Sequence, residues 1–160
     1  MLIPVLLIIQ AYFFVSGTDY SIHFRVTALL ALWMGLSVFW QRLLTRERLA
    51  TASRVGTMLT DAGILTALFT ISLLDCGPLV VVYALLIMVS GLWFQERLVW
   101  TATAIVELAF LWLLWKTPRL WDPWHFPLLI AITLLTAGAV TGFQVRRVRA
   151  LSRYYQGRPL

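Results

Sequence analysis

Long apolar runs separated by short polar segments dominate the chain. A helix needs about 20 residues to cross roughly 30 Å of hydrocarbon, and the longer runs reach that length. The six runs cover residues 2–16, 26–44, 55–74, 78–94, 98–115 and 126–145. Because the connections are short, consecutive helices should lie antiparallel and adjacent. The pattern predicts an all-α polytopic membrane protein: a six-helix transmembrane bundle over residues 1–145, followed by a basic tail over residues 146–160.

The composition favours the same class of protein. Hydrophobic residues make up 61% of the chain and charged residues 12%, whereas a soluble domain averages roughly 45–50% and about 25%. Cys76 is the only cysteine, so neither an intrachain disulfide nor a cysteine-based metal site can form. His23 and His125 have no third ligand near them in the pattern. We therefore expect no metal and no cofactor.

Basic residues orient the predicted helices. Ten of the 13 Lys and Arg residues fall on one side of the six spans, in the segment 42–54, at Arg97 and in the tail. Basic residues concentrate on the cytoplasmic side of membrane proteins, so both termini are predicted to be cytoplasmic. Topology thus accounts for the net charge of +6. The expected partner is the lipid bilayer, and nucleic acid is not expected.

Three polar residues lie inside the predicted spans: Gln10, Asp61 and Glu107. Counted from the ends of their spans, they fall at depths of about 9 to 13 Å. Groups at one depth could share hydrogen bonds or a proton, and no Lys or Arg is available there to neutralise the acids. We therefore expect at least one acid to be protonated. One interpretation is that the cluster senses protons, a ligand or a helix rearrangement. The other is that it only provides hydrogen bonds between helices.

The last span and its tail contain two features that suggest contacts, one with another helix and one with lipid headgroups. Gly138 and Gly142 form a GxxxG step, which permits close helix approach either inside the bundle or at a homodimer seam. The arginines that follow can contact anionic lipid headgroups. Alternatively, they are only the basic residues that mark the cytoplasmic end of a span. These candidate lipid contacts are Arg146, Arg147, Arg149 and Arg153.

Ser90 and His125 invite comparison with an intramembrane serine protease, which pairs a serine of one span with a histidine of another. In the predicted topology Ser90 lies about 18 Å below the outer end of its span, while His125 lies at the outer edge. A nucleophile and its base must be within hydrogen-bond reach. No catalytic residue is therefore predicted.

Several short motifs in the second half of the chain look familiar. They are SGLWF at residues 90–94, RLVW at 97–100, HFP at 125–127 and QVRRVRALSRYY at 144–155, with Arg158 and Pro159. Over residues 61–160 the chain resembles the C-terminal multi-span membrane domain of bacterial multidomain serine/threonine protein kinases, in which a cytoplasmic kinase domain precedes the membrane domain. The kinase motifs themselves, a Gly-rich loop, His-Arg-Asp and Asp-Phe-Gly, do not occur in this chain.

This resemblance implies a non-catalytic domain in the bacterial inner membrane that serves as anchor, sensor or dimerisation unit of a signalling protein. A fused or associated cytoplasmic kinase domain and a second copy of the chain are the partners it implies. The alternative function is a small proton-coupled transporter or channel subunit that uses Asp61 and Glu107.

Overall fold

The structure is a computed structural model that describes residues 8, 11, 14–15, 20–45, 49–72, 80–117 and 124–156. Within these residues the fold is entirely helical, with no strand. The prediction of an all-α protein is thereby confirmed for the described part of the chain. The chain divides into two compact units, Met1–Cys76 and Gly77–Leu160.

The first unit contains a pair of packed helices, α1 (Tyr20–Leu44) and α2 (Ala50–Ser72). The buried apolar residues recur at intervals of three and four residues, which places them on one face of each helix. On α1 they are Val26, Leu30 and Trp33, and on α2 they are Met58, Ala62, Ile64, Leu65, Leu68 and Phe69. The short connection between Leu44 and Ala50 makes the two helices an antiparallel hairpin.

The second unit contains α3 (Val80–Ser90), α4 (Glu96–Lys116) and α5 (His125–Gln156), and each of them packs on the other two. A short 3₁₀ turn, Gly91–Trp93, extends α3. The core again follows helical spacing. Its main members are Tyr83 and Ile87 on α3, Val99, Val106, Phe110 and Leu113 on α4, and Leu134, Ala137 and Val145 on α5.

The chain reverses between α3 and α4 through an unusual backbone conformation. Phe94 has φ 50° and ψ 30°, in the left-handed region, and its N–H donates to the Gly91 carbonyl at 2.9 Å. Gln95 is extended and its carbonyl accepts from the N–H of Leu98 at 2.9 Å. A residue with a Cβ pays about 1 kcal/mol or more in the left-handed region, so this tight turn stores local strain.

Threonine side chains inside the helices bond to the backbone of the preceding turn. The Thr66 hydroxyl donates to the Ala62 carbonyl at 2.6 Å, and Thr103 donates to the Val99 carbonyl at 2.9 Å. Each of these local bonds gives a buried hydroxyl an acceptor within its own helix.

Among the described residues three helices are long and apolar enough to cross a membrane: Ser21–Leu44, Glu96–Lys116 and His125–Tyr154. They contain the predicted spans 26–44, 98–115 and 126–145. The predicted span 78–94 corresponds to a shorter apolar helix, Val81–Trp93. The predicted span 55–74 overlaps α2, which is not among the three, and most of the predicted span 2–16 lies outside the described residues.

The last helix is longer than a bilayer requires. α5 has 32 residues, which at 1.5 Å per residue gives a length of about 48 Å, against roughly 30 Å of hydrocarbon. It continues without a break past Val145 into the basic segment that starts at Arg146. The helix is longer than the apolar layer is thick by about a third of its own length, and the arginines lie in its last third.

Candidate functional site

Asp61 on α2 accepts a hydrogen bond from a buried tryptophan of α1. The Trp33 indole Nε1 lies 2.5 Å from Asp61 Oδ1, and Trp33 is only 1% exposed. A carboxylate away from water needs donors of this kind, because an unpaired buried acid is costly. The hydrogen bond therefore holds the α1–α2 pair in one register and gives Asp61 a defined partner.

A second tryptophan repeats this arrangement two turns further along α1. The Trp40 indole Nε1 donates to Thr60 Oγ1 at 3.0 Å, and the Trp40 carbonyl accepts from Ser53 Oγ at 2.8 Å. The Trp40 ring lies over Gly56, where a Cβ would come within 2.6 Å of ring atom Cζ2. Gly56 thus provides the space that the ring occupies.

We call these five side chains, Trp33, Trp40, Ser53, Thr60 and Asp61, the tryptophan seam. Sequence reasoning missed it, because it grouped Asp61 with Gln10 and Glu107 by their depth in the predicted spans. A usable signal was present. The two tryptophans are seven residues apart on α1, and Ser53 and Thr60 are seven apart on α2, which places each pair on one helix face.

Glu107 on α4 has a different environment. Its Oε1 is buried and has no hydrogen-bond partner among the described residues. Thr103, one turn earlier, lies against Gly138 of α5. In an antiparallel pair the next turn along α4 therefore meets the stretch of α5 near Leu134, which is 1% exposed. By register, Glu107 falls beside an apolar stretch of α5.

The predicted cluster of three polar residues draws on parts of the chain that the structure describes separately or not at all. Gln10 lies outside the described residues, while Asp61 and Glu107 belong to separate units. Asp61 has a local partner, and the buried oxygen of Glu107 has none within the part of the chain that the structure describes. A joint cluster of Gln10, Asp61 and Glu107 stays a prediction.

The two glycines of the GxxxG step differ in how closely they approach α4. A Cβ on Gly138 would lie 2.8 Å from Thr103 Cγ2, closer than side chains tolerate. A Cβ on Gly142 would lie 3.7 Å from Nε1 of Trp100, which is an ordinary van der Waals distance. Gly138 is therefore the position at which the absence of a side chain sets the spacing of the two helices.

The start of α4 and the basic part of α5 meet at one end of the second unit. Arg146 forms an ion pair with Glu96, and the Trp100 indole Nε1 lies 3.3 Å from the same carboxylate oxygen. Next to this pair is a cleft of about 360 Å³, lined by Gln95, Glu96, Arg97 and Arg149. Of the four arginines predicted to contact lipid, the structure thus places Arg146 on an acid and Arg149 in a cleft.

The geometry of Ser90 does not suit a nucleophile. Its Oγ donates to the Ile87 carbonyl at 2.6 Å, and the side chain is 2% exposed. The adjacent Gly91 faces Thr141 on α5. His125 lies sixteen residues before Thr141 on the same helix, about 24 Å away along its axis. The described residues also contain no group of three or more His, Cys, Asp or Glu side chains that could hold a metal ion.

Comparison with protein families, with curated proteins and with solved structures finds no match for the chain.

Proposed function

We propose that the chain is a non-catalytic, six-span domain of the bacterial inner membrane, with both termini in the cytoplasm. Its role is to anchor a signalling protein and to act as that protein's sensor or dimerisation unit. Three helices of sufficient length and apolar character support the membrane assignment. The ten-to-three distribution of basic residues supports the orientation.

The observation that carries a scaffolding role is that the polar side chains between α1 and α2 hydrogen-bond across the helix pair. The seam residues bond across the α1–α2 pair, and the Thr103 hydroxyl bonds to the backbone of its own helix. Transport and catalysis need polar groups that converge on a cavity or a substrate. Polar groups used within helix packing instead fix the helices relative to each other, as an anchor or a signalling module requires.

The two ends of the second unit support its orientation in a bilayer. Lys116, at the C-terminal end of α4, lies over the rings of Trp112 and Trp115, at 5.9 Å and 5.0 Å from their centroids. Tryptophan and lysine together are typical of the headgroup region. The opposite end carries the arginines of α5. The lysine and tryptophan end is therefore assigned to the outer interface, and the arginine end to the cytoplasmic one.

The link to a kinase is supported by the sequence motifs alone, and one structural fact bears on them. The SGLWF motif contains Ser90, Gly91 and the 3₁₀ turn, and the QVRRVRALSRYY motif forms the end of α5. A Cβ on Gly91 would lie 3.6 Å from Val145 Cγ2. The two motifs thus meet in space and form one structural feature at the proposed cytoplasmic end.

The genomic sequence upstream of the Met1 codon tests this link. We expect kinase catalytic motifs in the same reading frame or in the adjacent gene. A frame that opens at Met1, with no kinase gene beside it, would contradict the kinase part of the proposal and leave the membrane part standing.

Proton-coupled transport is the second candidate, and the unpartnered Oε1 of Glu107 favours it. A carboxyl group inside a span without a fixed partner can bind and release a proton. Uptake driven by a pH gradient into proteoliposomes is the test, with Glu107→Gln as the variant and Asp61→Asn beside it. Gradient-driven uptake that Glu107→Gln abolishes would establish the transporter, and an absence of uptake in the unsubstituted protein would reject it.

A further inference from the structure

We propose that the cleft at the start of α4 binds the phosphate group of an anionic glycerophospholipid. Its walls are Gln95, Glu96 and Arg97 on one side and Arg149 of α5 on the other, and its volume is about 360 Å³. In a general basic flank all arginines would contribute equally to lipid binding. In the proposed site, arginines that are neighbours in the sequence have different roles.

The charge of the cleft is positive once its single acid is accounted for. The Glu96 carboxylate is already paired with Arg146 and lies 3.3 Å from the Trp100 indole nitrogen. Within the part of the chain that the structure describes, neither Arg97 nor Arg149 forms an ion pair, although the charge of Arg149 also acts on the Glu96 carboxylate. Two arginines outside the Glu96–Arg146 ion pair thus line the cleft, and a guanidinium binds phosphate oxygens with paired N–H donors.

The backbone adds to the attraction for an anion. α4 begins at Glu96, and the preceding Gln95 makes no side-chain hydrogen bond that would cap the helix. The N–H groups of Leu98 and Val99 donate to the Gln95 carbonyl, so the partial positive charge of this helix end comes from the N–H groups that precede Leu98. An anion in the cleft would lie beside this uncapped end as well as between the two arginines.

The depth of the cleft identifies a lipid as the occupant. The cleft lies where the apolar part of α4 begins and where the apolar part of α5 ends, after Val145. Trp100 lies one turn deeper and packs beside Gly142, as an interfacial tryptophan does. Lipid phosphates are found at this boundary of the hydrocarbon layer. A phosphodiester held there keeps its acyl chains in the apolar layer beside the helices.

Binding of phosphatidylglycerol to the purified protein in a neutral detergent tests the proposal. Native mass spectrometry counts the bound lipid during a titration, with phosphatidylcholine as the neutral lipid and glycerol 3-phosphate as the soluble phosphate. We expect Arg97→Gln and Arg149→Gln each to weaken phosphatidylglycerol binding about fivefold, from the attraction of one basic residue to an anionic headgroup. Arg147→Gln is the matched control, because Arg147 is exposed on the same helix and does not line the cleft.

The outcomes separate the alternatives. Equal weakening by Arg147→Gln and Arg149→Gln would overturn the proposal, because the tail would then act only as a charged flank. Unchanged binding in Arg97→Gln and Arg149→Gln would overturn it too. Saturable binding of glycerol 3-phosphate with the same arginine dependence would assign the cleft to a soluble phosphate and reject the lipid. Arg97→Lys and Arg149→Lys keep the charge, so they should bind more lipid than the Gln variants if the loss is electrostatic and not a folding defect.

The inference rests on the proposed membrane placement of α4 and α5, and not on the kinase link or the number of spans. Failure of that placement would appear as a protein that stays monodisperse without detergent in every variant. Failure of the site alone would appear as a detergent-dependent protein whose response to phosphatidylglycerol is the same in Arg97→Gln, Arg149→Gln and Arg147→Gln.

Discussion

The hydrogen bond between Trp33 and Asp61 should make a measurable contribution to the stability of the α1–α2 pair. Trp33→Phe removes the indole donor and also creates a small cavity, so the single substitution overstates the bond. Asp61→Leu removes the hydrogen-bond acceptor and also the free-energy cost of burying a carboxyl group. A double-mutant cycle with these two substitutions cancels the separate effects and isolates the interaction between the side chains.

The structure sets the magnitude that we expect from this cycle. Hydrogen bonds to charged groups contribute about 1.5–3 kcal/mol in proteins generally, while interhelical bonds in membranes average about 0.6 and reach about 1.7 kcal/mol. The Trp33 and Asp61 atoms are 2.5 Å apart, and Trp33 is 1% exposed. We therefore expect a coupling free energy of about 1–2 kcal/mol, near the upper end of the membrane values.

Equilibrium unfolding in mixed micelles with sodium dodecyl sulfate, followed by far-ultraviolet circular dichroism, gives the four unfolding free energies. The matched control is the cycle of Trp40→Phe with Thr60→Val, which removes a bond of 3.0 Å between neutral groups. We expect about 0.5 kcal/mol there. A Trp33–Asp61 coupling no larger than that of the control would refute the argument that this bond fixes the register of the two helices.

The same unfolding assay tests three further predictions. Gly138→Ala should lower the unfolding free energy by about 1–3 kcal/mol, because the added Cβ would collide with Thr103. Gly142→Ala should be neutral or stabilising, because a Cβ there meets its neighbours at ordinary van der Waals distance. Equal effects at both glycines would contradict the packing. Phe94→Gly should stabilise the turn by up to about 1 kcal/mol, because it relieves the backbone strain of a left-handed residue whose side chain is 51% exposed. A loss of stability would show that the contacts of the phenyl ring contribute more than the strain costs. Glu107→Leu should raise stability by about 1 kcal/mol because it removes a buried oxygen without a partner, and destabilisation would indicate a partner for the carboxyl group.

The positions of the helices could be predicted from the sequence because a bilayer-length apolar run is a strong signal. The runs at 26–44, 98–115 and 126–145 each lie inside a helix that is long enough to cross a membrane. The ends of a helix are harder to predict than its apolar middle. α2 begins at Ala50, five residues before the predicted span 55–74, because hydropathy detects only apolar residues and the first turns of α2 contain polar ones such as Thr51 and Ser53.

Side-chain partners were much harder to predict than helices. Depth alone grouped Asp61 with Glu107, but the partner of Asp61 is set by the register of α1 against α2, and this brings Trp33 opposite it. Arg146 was counted as part of a basic flank, because nothing in a linear sequence shows that Glu96, fifty residues earlier, begins a helix beside it. These contacts depend on how two helices pack, which the pattern of one helix does not contain.

Cysteine-accessibility mapping in intact inner-membrane vesicles tests the central claim, a multi-span membrane domain with its arginine-rich side in the cytoplasm. Cys76→Ser removes the single native cysteine, and Thr51→Cys and Thr117→Cys then report on opposite sides of the predicted bundle. In right-side-out vesicles a membrane-impermeant maleimide should label position 117 and leave position 51 unlabelled, while a permeant maleimide labels both. Labelling of position 51 with protection of position 117 would reverse the orientation. Equal labelling of both by the impermeant reagent in sealed vesicles would contradict the predicted placement of these positions on opposite sides of the membrane.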